Sequence, residues 1–191
     1  EQNHYDLAMA YYKGSIGGSK IKIEMPNCPY EECKKAQEMK KKMNIQTVEG
    51  KNIVTIMKKD LRLALFYFEK SIFEDKNKVA ADKALKMLLG EANYKDEKID
   101  DFLLKRLNTV FSINEEEYRQ KVKRILEFFI DNPSCFGSYT LGNFIEKGYM
   151  GLFQYNNRKI FNAYNDAVNE CPNNRMEKIL ASSKLNKFKD K

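Results

Sequence analysis

Four cysteines, one histidine and scattered carboxylates are the side chains in this 191-residue chain best suited to chemistry. Cys28 and Cys33 stand five positions apart in Cys28-Pro29-Tyr30-Glu31-Glu32-Cys33, and Cys135 and Cys171 stand 36 apart. Neither spacing is the C-x-x-C of a redox or zinc pair. An even count suits two disulfides and an oxidising compartment; four buried thiols in a cytosolic protein are the alternative. His4 is the only histidine, which excludes sites built on two or more. No cysteine or serine motif surrounds it, and it reads as a surface residue. Asp100-Asp101 and Glu115-Glu116-Glu117 read as solvated helix surface rather than acid–base pairs. Gly14-Ser15-Ile16-Gly17-Gly18-Ser19-Lys20 has a phosphate-loop flavour. It lacks the G-x-x-x-x-G-K-[ST] spacing and follows no strand, so it reads as a flexible loop. No enzyme, cofactor or metal site is expected.

Charge narrows the partners. Lys and Arg number 34 against 27 Asp and Glu, a net +7. The lysines sit among glutamates, whereas nucleic-acid binding favours a dense basic stripe with arginine and stacking aromatics. The densest run, Lys34-Lys35 with Lys40-Lys41-Lys42, reads as the solvated face of a helix. A protein partner is expected, with a bias toward acidic ones, and no nucleic acid. The hydrophobic fraction of 42% supports a real core. The longest apolar run, Leu63 to Phe68, is six residues, far short of the ~20 of a membrane span. Glu1 opens the chain without an initiator Met or an apolar leader, so a removed signal peptide is expected, a sequence that starts late being the alternative.

The elements that must position any site are helices, and the fold class expected is all-α. Residues 1–50 form an N-terminal region of helices and an irregular arm; residues 51–191 form a helical-repeat domain. Tyr5 to Lys13 is a short helix stopped by Gly14. Residues 14–29 are irregular, with a strand-like alternation only over 19–25. Further helices are expected over Tyr30–Met43, up to Phe73, and over Val79–Leu89, Lys98–Phe111 and Glu115–Ile130. Three more follow, over Tyr139–Lys147, from Asn156 or Asn157 to Cys171, and from Arg175 to about Leu185. Asn114 reads as an N-cap, and the glutamates after it complement the helix dipole. Asn173-Asn174 read as the cap of the last helix.

A beat runs through these helices. Lys83-Ala84, Lys121-Val122 and Lys159-Ile160 recur at intervals of 38 residues. Each is expected near the start of the second helix of a pair, and a period in this range means one αα-hairpin per repeat. Single hairpins cannot bury their apolar faces alone, so they stack into a solenoid. An irregular bundle with chance spacing is the alternative.

The segment Tyr139-Thr140-Leu141-Gly142, then Glu146-Lys147-Gly148-Tyr149-Met150-Gly151, Gln154, Lys159, Ala163-Tyr164 and Ala167 resembles a Sel-one-like (TPR-like) repeat. Gly142 would allow close helix contact, Gly148 and Gly151 the turn, and Ala163 and Ala167 the approach of a neighbour. The match is good over 138–185, degenerate over 60–130 and faint before 50. Ile160 and Val168 replace alanines of the family pattern. In such an antiparallel hairpin the start of the first helix lies beside the end of the second. That geometry places Cys135 beside Cys171 and invites a disulfide, leaving Cys28–Cys33 as a clip on the arm.

Solenoids work as binding surfaces, so partner contacts are expected from Tyr139, Lys147, Tyr149, Phe153, Tyr155 and Arg158. Packing against the core is the other role open to these aromatics. The run Glu91-Ala92-Asn93-Tyr94, the spacer helix at 115–130 and the terminal repeat through Ala181-Ser182-Ser183-Lys184-Leu185 resemble, over roughly residues 60–185, the layout of Sel-one-like proteins encoded beside type VI secretion toxins as immunity proteins. That resemblance implies binding and neutralising a cognate toxin, in the periplasm of a Gram-negative bacterium. A periplasmic or secreted scaffold in signalling or host interaction is the alternative.

Overall fold

A computed structural model describes residues 3–14, 60–90 and 113–189. These contain seven α-helices and no strand. The expected elements over 14–29, Tyr30–Met43 and Lys98–Phe111, the boundary near residue 50 and the Cys28–Cys33 clip lie outside them. The chain divides into two compact units, Glu1–Tyr67 and Phe68–Lys191.

In the first unit, α1 (His4–Lys13) starts where the Asn3 Oδ1 accepts a hydrogen bond from the Tyr5 amide at 2.9 Å. It stops at Gly14, whose φ of 68° suits glycine. Leu7, Ala8, Ala10 and Tyr11 are buried. The Tyr11 ring stacks on Tyr67, with centroids 5.7 Å apart. Tyr67 belongs to α2 (Leu61–Phe73), which crosses the unit boundary. The Asp60 amide donates to the Tyr11 carbonyl at 2.9 Å. Burial, with Tyr67 and Asp60 nearby, pushes the Tyr11 phenol above its ordinary value.

The second unit holds α3 (Lys78–Leu89), α4 (Glu115–Asp131), α5 (Cys135–Lys147), α6 (Asn157–Glu170) and α7 (Met176–Phe188), with a short 3-10 turn at Tyr149–Gly151. Helix α3 packs on α4 and α5, α4 on α5, α5 on α6, and α7 on both α5 and α6. The start of α4 lies beside the end of α3, because the buried Tyr118 hydroxyl donates to the Leu88 carbonyl at 2.5 Å. At the opposite end, Lys78 Nζ donates to the Pro133 carbonyl at 2.9 Å. Helices α3 and α4 are therefore antiparallel.

Local chemistry explains the boundaries. Asn114 Oδ1 caps α4 through the Glu117 amide at 2.8 Å, and Glu115, Glu116 and Glu117 fill the first turn. Tyr118, Val122, Ile125, Leu126 and Phe129 form its buried stripe. Lys121 leaves that stripe to meet Glu69 of α2 at 2.8 Å.

Helix α5 begins at Cys135, earlier than the expected Tyr139. Ser134, not a later residue, is its cap: the Ser134 Oγ accepts from the Gly137 amide at 2.9 Å and donates to Asp82 Oδ1 at 2.7 Å. Gly137, which looks like a breaker, is a contact residue. A Cβ there would lie 2.3 Å from the Phe129 ring. Helix α7 starts at Met176 and runs to Phe188 rather than Leu185, with no side-chain cap on its first turn. Asn173, read as a cap, instead accepts from Lys178 Nζ at 2.9 Å.

The 38-residue beat survives as burial rather than as helix position. Lys83 and Lys121 lie well inside α3 and α4, and Lys159 lies in the first turn of α6. The residue after each of them, Ala84, Val122 and Ile160, is 0% exposed.

Candidate partner-binding surface

The best-formed part of the molecule is the α5–α6 pair with α7 laid against it. Three devices hold it. The first is the Cys135–Cys171 disulfide, with Cα atoms 4.5 Å apart. It ties the start of α5 to the residue just past α6, as the hairpin reading expects. Lys178 Nζ adds a 3.3 Å hydrogen bond to the Cys171 carbonyl. The second is Gly142. A Cβ there would lie 2.6 Å from Cε1 of Tyr164, so only glycine lets the Tyr164 ring lie against the α5 backbone. Ala163 and Ala167 are both buried on α6.

The third is a polar cluster at the junction of the three helices. The Tyr164 hydroxyl stands 3.0 Å from Asn143 Oδ1 and bonds the Glu146 carboxylate. From α7, Lys184 Nζ reaches Glu146 Oε2 at 2.8 Å, Asn143 Oδ1 at 2.9 Å and the Tyr164 oxygen at 3.1 Å. Lys187 Nζ approaches Glu146 Oε1 at 3.6 Å. The phenol has one hydrogen, and the carboxylate is the stronger acceptor, so Tyr164 donates to Glu146 while Lys184 serves Asn143.

Burial opposes ionisation of Glu146. Hydrogen bonds from Lys184 and Tyr164 and the charges of Lys184 and Lys147 outweigh it, and its carboxyl lies below the usual range. Burial and then the Glu146 carboxylate push the Tyr164 phenol far upward, so it stays protonated. Asp82, near the disulfide end, is shifted opposite to Glu146: burial raises it, against the Ser134 hydrogen bond and the Lys86 charge.

The opposite end of the pair is the turn from α5 into α6. Gly148 and Gly151 take positive φ values of 65° and 59°, the role expected of them. Met150 between them also has a positive φ, 56°, and is anchored by burial. Asn156 Oδ1 caps α6 through the Lys159 amide at 2.9 Å.

The six expected contact residues separate here. Tyr155 is 62% exposed, and Lys147 and Arg158 are exposed beside it in sequence. Phe153 and Tyr149 are half-buried, with the Tyr149 ring edge-on to Phe144 at 5.3 Å. Tyr139 is half-buried at the cluster, its ring 6.0 Å from Tyr164. Burial raises its phenol pKa, against a hydrogen bond with Asn143. Five of the six thus gather at one end of the hairpin, and Tyr139 packs within it.

Sequence reading missed the Asn143–Glu146–Tyr164–Lys184 cluster, although one signal was present. Glu146 and Lys184 are 38 residues apart, the interval of the lysine beat. Among the described residues, no group of three or more His, Cys, Asp or Glu is placed to hold a metal ion. No helix among them is long and apolar enough to cross a membrane. No family model, curated protein or solved structure matches the chain.

Proposed function

We propose that this chain is a protein-binding helical repeat of the Sel-one-like kind, acting as a non-enzymatic immunity protein against a cognate bacterial toxin. The observation that carries the binding reading is the stapled α5–α6 hairpin. It is locked at one end by Cys135–Cys171 and at its middle by Gly142 and the Tyr164 cluster, and it presents aromatic and basic side chains at its free turn. A rigid frame lowers the ordering cost of binding. Exposed aromatic and basic groups on such a frame are the usual anchors of an interface.

Stacked hairpins are supported by two facts. Glu146 and Lys184 stand one 38-residue interval apart on α5 and α7, the placement of matching positions on successive first helices. Helix α7 also packs against both helices of the preceding pair. The toxin-neutralising role follows from the resemblance of roughly residues 60–185 to Sel-one-like immunity proteins. A disulfide fits an oxidising compartment, and the periplasm is the location proposed.

Affinity capture with the tagged protein from its producing organism, read by mass spectrometry, tests the reading. Recovery of one toxin in near-equal amount, with relief of its toxicity on co-expression, is the expected result. Recovery of only diverse, substoichiometric proteins would overturn it.

A further inference from the structure

The turn end of the α5–α6 hairpin carries an unbalanced set of side chains. Lys147 closes α5, and Arg158 and Lys159 open α6. All three are exposed, and neither Arg158 nor Lys159 makes an ion pair among the described residues. Lys187 of α7 is brought to the same end by Glu146, its side chain still 65% exposed. Between the basic groups run Phe153, half-buried, and Tyr155, 62% exposed.

The one carboxylate of these helix ends, Glu146, is 8% exposed and already engaged by Tyr164, Lys184 and Lys187. It neutralises the interior of the cluster and leaves the outward charge positive. Lys147, Arg158 and Lys159 therefore face solvent close in sequence to the exposed Tyr155, and Lys187 adds a charge only partly met by Glu146.

We propose that this turn is a docking site for an acidic protein segment, whose carboxylates meet Lys147, Arg158, Lys159 and Lys187 and whose apolar side chains rest on Phe153 and Tyr155. The inference deepens the protein-binding reading above and rests on it. Charge complementarity selects the occupant. A continuous polyphosphate fits less well, because Arg119, the residue nearest Gly151 on α4, is paired with Glu115 at 3.9 Å. Glu116 and Glu117 are exposed beside that pair. This acidic rim repels a long polyanion but tolerates a short segment with isolated carboxylates and apolar residues between them.

The test is fluorescence anisotropy of the full chain with a labelled Glu/Asp-rich peptide containing leucine. A Lys-rich peptide, duplex DNA and anionic phosphatidylserine vesicles serve as competing probes. Binding of the acidic peptide is expected to weaken with salt and to fall about tenfold or more in Arg158→Glu with Lys159→Glu. Tyr155→Ala is expected to weaken it severalfold with a smaller change in salt dependence. Circular dichroism of each variant confirms that these exposed substitutions leave the helices in place.

Equal binding by the charge-reversed variant, no binding of the acidic peptide, or tighter binding of DNA or vesicles would overturn the proposal. Capture of a toxin that the charge-reversed variant retains in full would overturn this site while leaving the immunity reading intact. Acidic-peptide binding with no toxin captured would do the reverse.

Discussion

Replacing both Cys135 and Cys171 with alanine removes the link that closes the α5–α6 hairpin. The bonded residues are 36 apart in sequence. In the chain-entropy treatment, cross-linking a loop of that length lowers the entropy of the unfolded state by about 13 cal/mol/K, or about 4 kcal/mol at 25 °C. The unit Phe68–Lys191, at about 2.1 cal/mol/K per residue, unfolds with an entropy near 0.26 kcal/mol/K, so the loss corresponds to roughly 15 °C in Tm. Cys171 is buried and Cys135 half-buried, so the alanines also remove some packing, which adds to the loss. The assay is thermal and urea unfolding of wild type and the double variant, with a non-reducing digest to recover the Cys135–Cys171 peptide pair. The transition is expected to fall by roughly 10–20 °C, and reductant is expected to move the wild type toward the variant. A shift below about 3 °C would refute the reasoning, because it would mean that the bond does not constrain the unfolded chain.

Two further outcomes follow from the cluster. Glu146→Gln removes the charge that holds Lys184 and Lys187, and is expected to cost about 2–3 kcal/mol at neutral pH in urea unfolding. Folding lowers the Glu146 pKa from its ordinary 4.5, so its contribution is full above that value and is lost as pH falls through the depressed folded value. The gap between wild type and Glu146→Gln should therefore close in acid, and a gap that widens there would contradict the assignment. Gly142→Ala places a Cβ 2.6 Å from the Tyr164 ring. It is expected to cost about 1–3 kcal/mol, measured by chemical unfolding, and an unchanged midpoint would show that the close approach is absent.

Much of this fold was legible because it rests on local signals. Asn114 with three glutamates marks the start of α4 from sequence alone. The Cys135–Cys171 pairing followed from placing both residues on one antiparallel hairpin, a short step from the helix boundaries. Gly142, Gly148 and Gly151 were read from the resemblance to the repeat, and each has the close contact or positive φ that needs glycine.

The failures are equally physical. The first turn of α5 was missed because Pro133 and Gly137 look like breakers. Pro133 accepts from Lys78 and Gly137 lies against Phe129, both on other helices. The end of α7 was misjudged because little of that helix is apolar and buried: only Ala181 and Phe188 are fully so. It is held instead by Lys184 and Lys187 on Glu146, a contact that no window along α7 contains. Tyr139 looked like a candidate anchor because aromatic type does not tell packing from docking. It is half-buried with its ring beside Tyr164.

In the function proposed above, a rigid hairpin presents a basic, aromatic turn to a protein partner. Isothermal titration of the captured partner into wild type and into Arg158→Glu with Lys159→Glu tests it most directly. A single class of sites is expected on the wild type, with an affinity reduced by about tenfold or more in the variant and the fold unchanged. Equal affinity for the two proteins would contradict it.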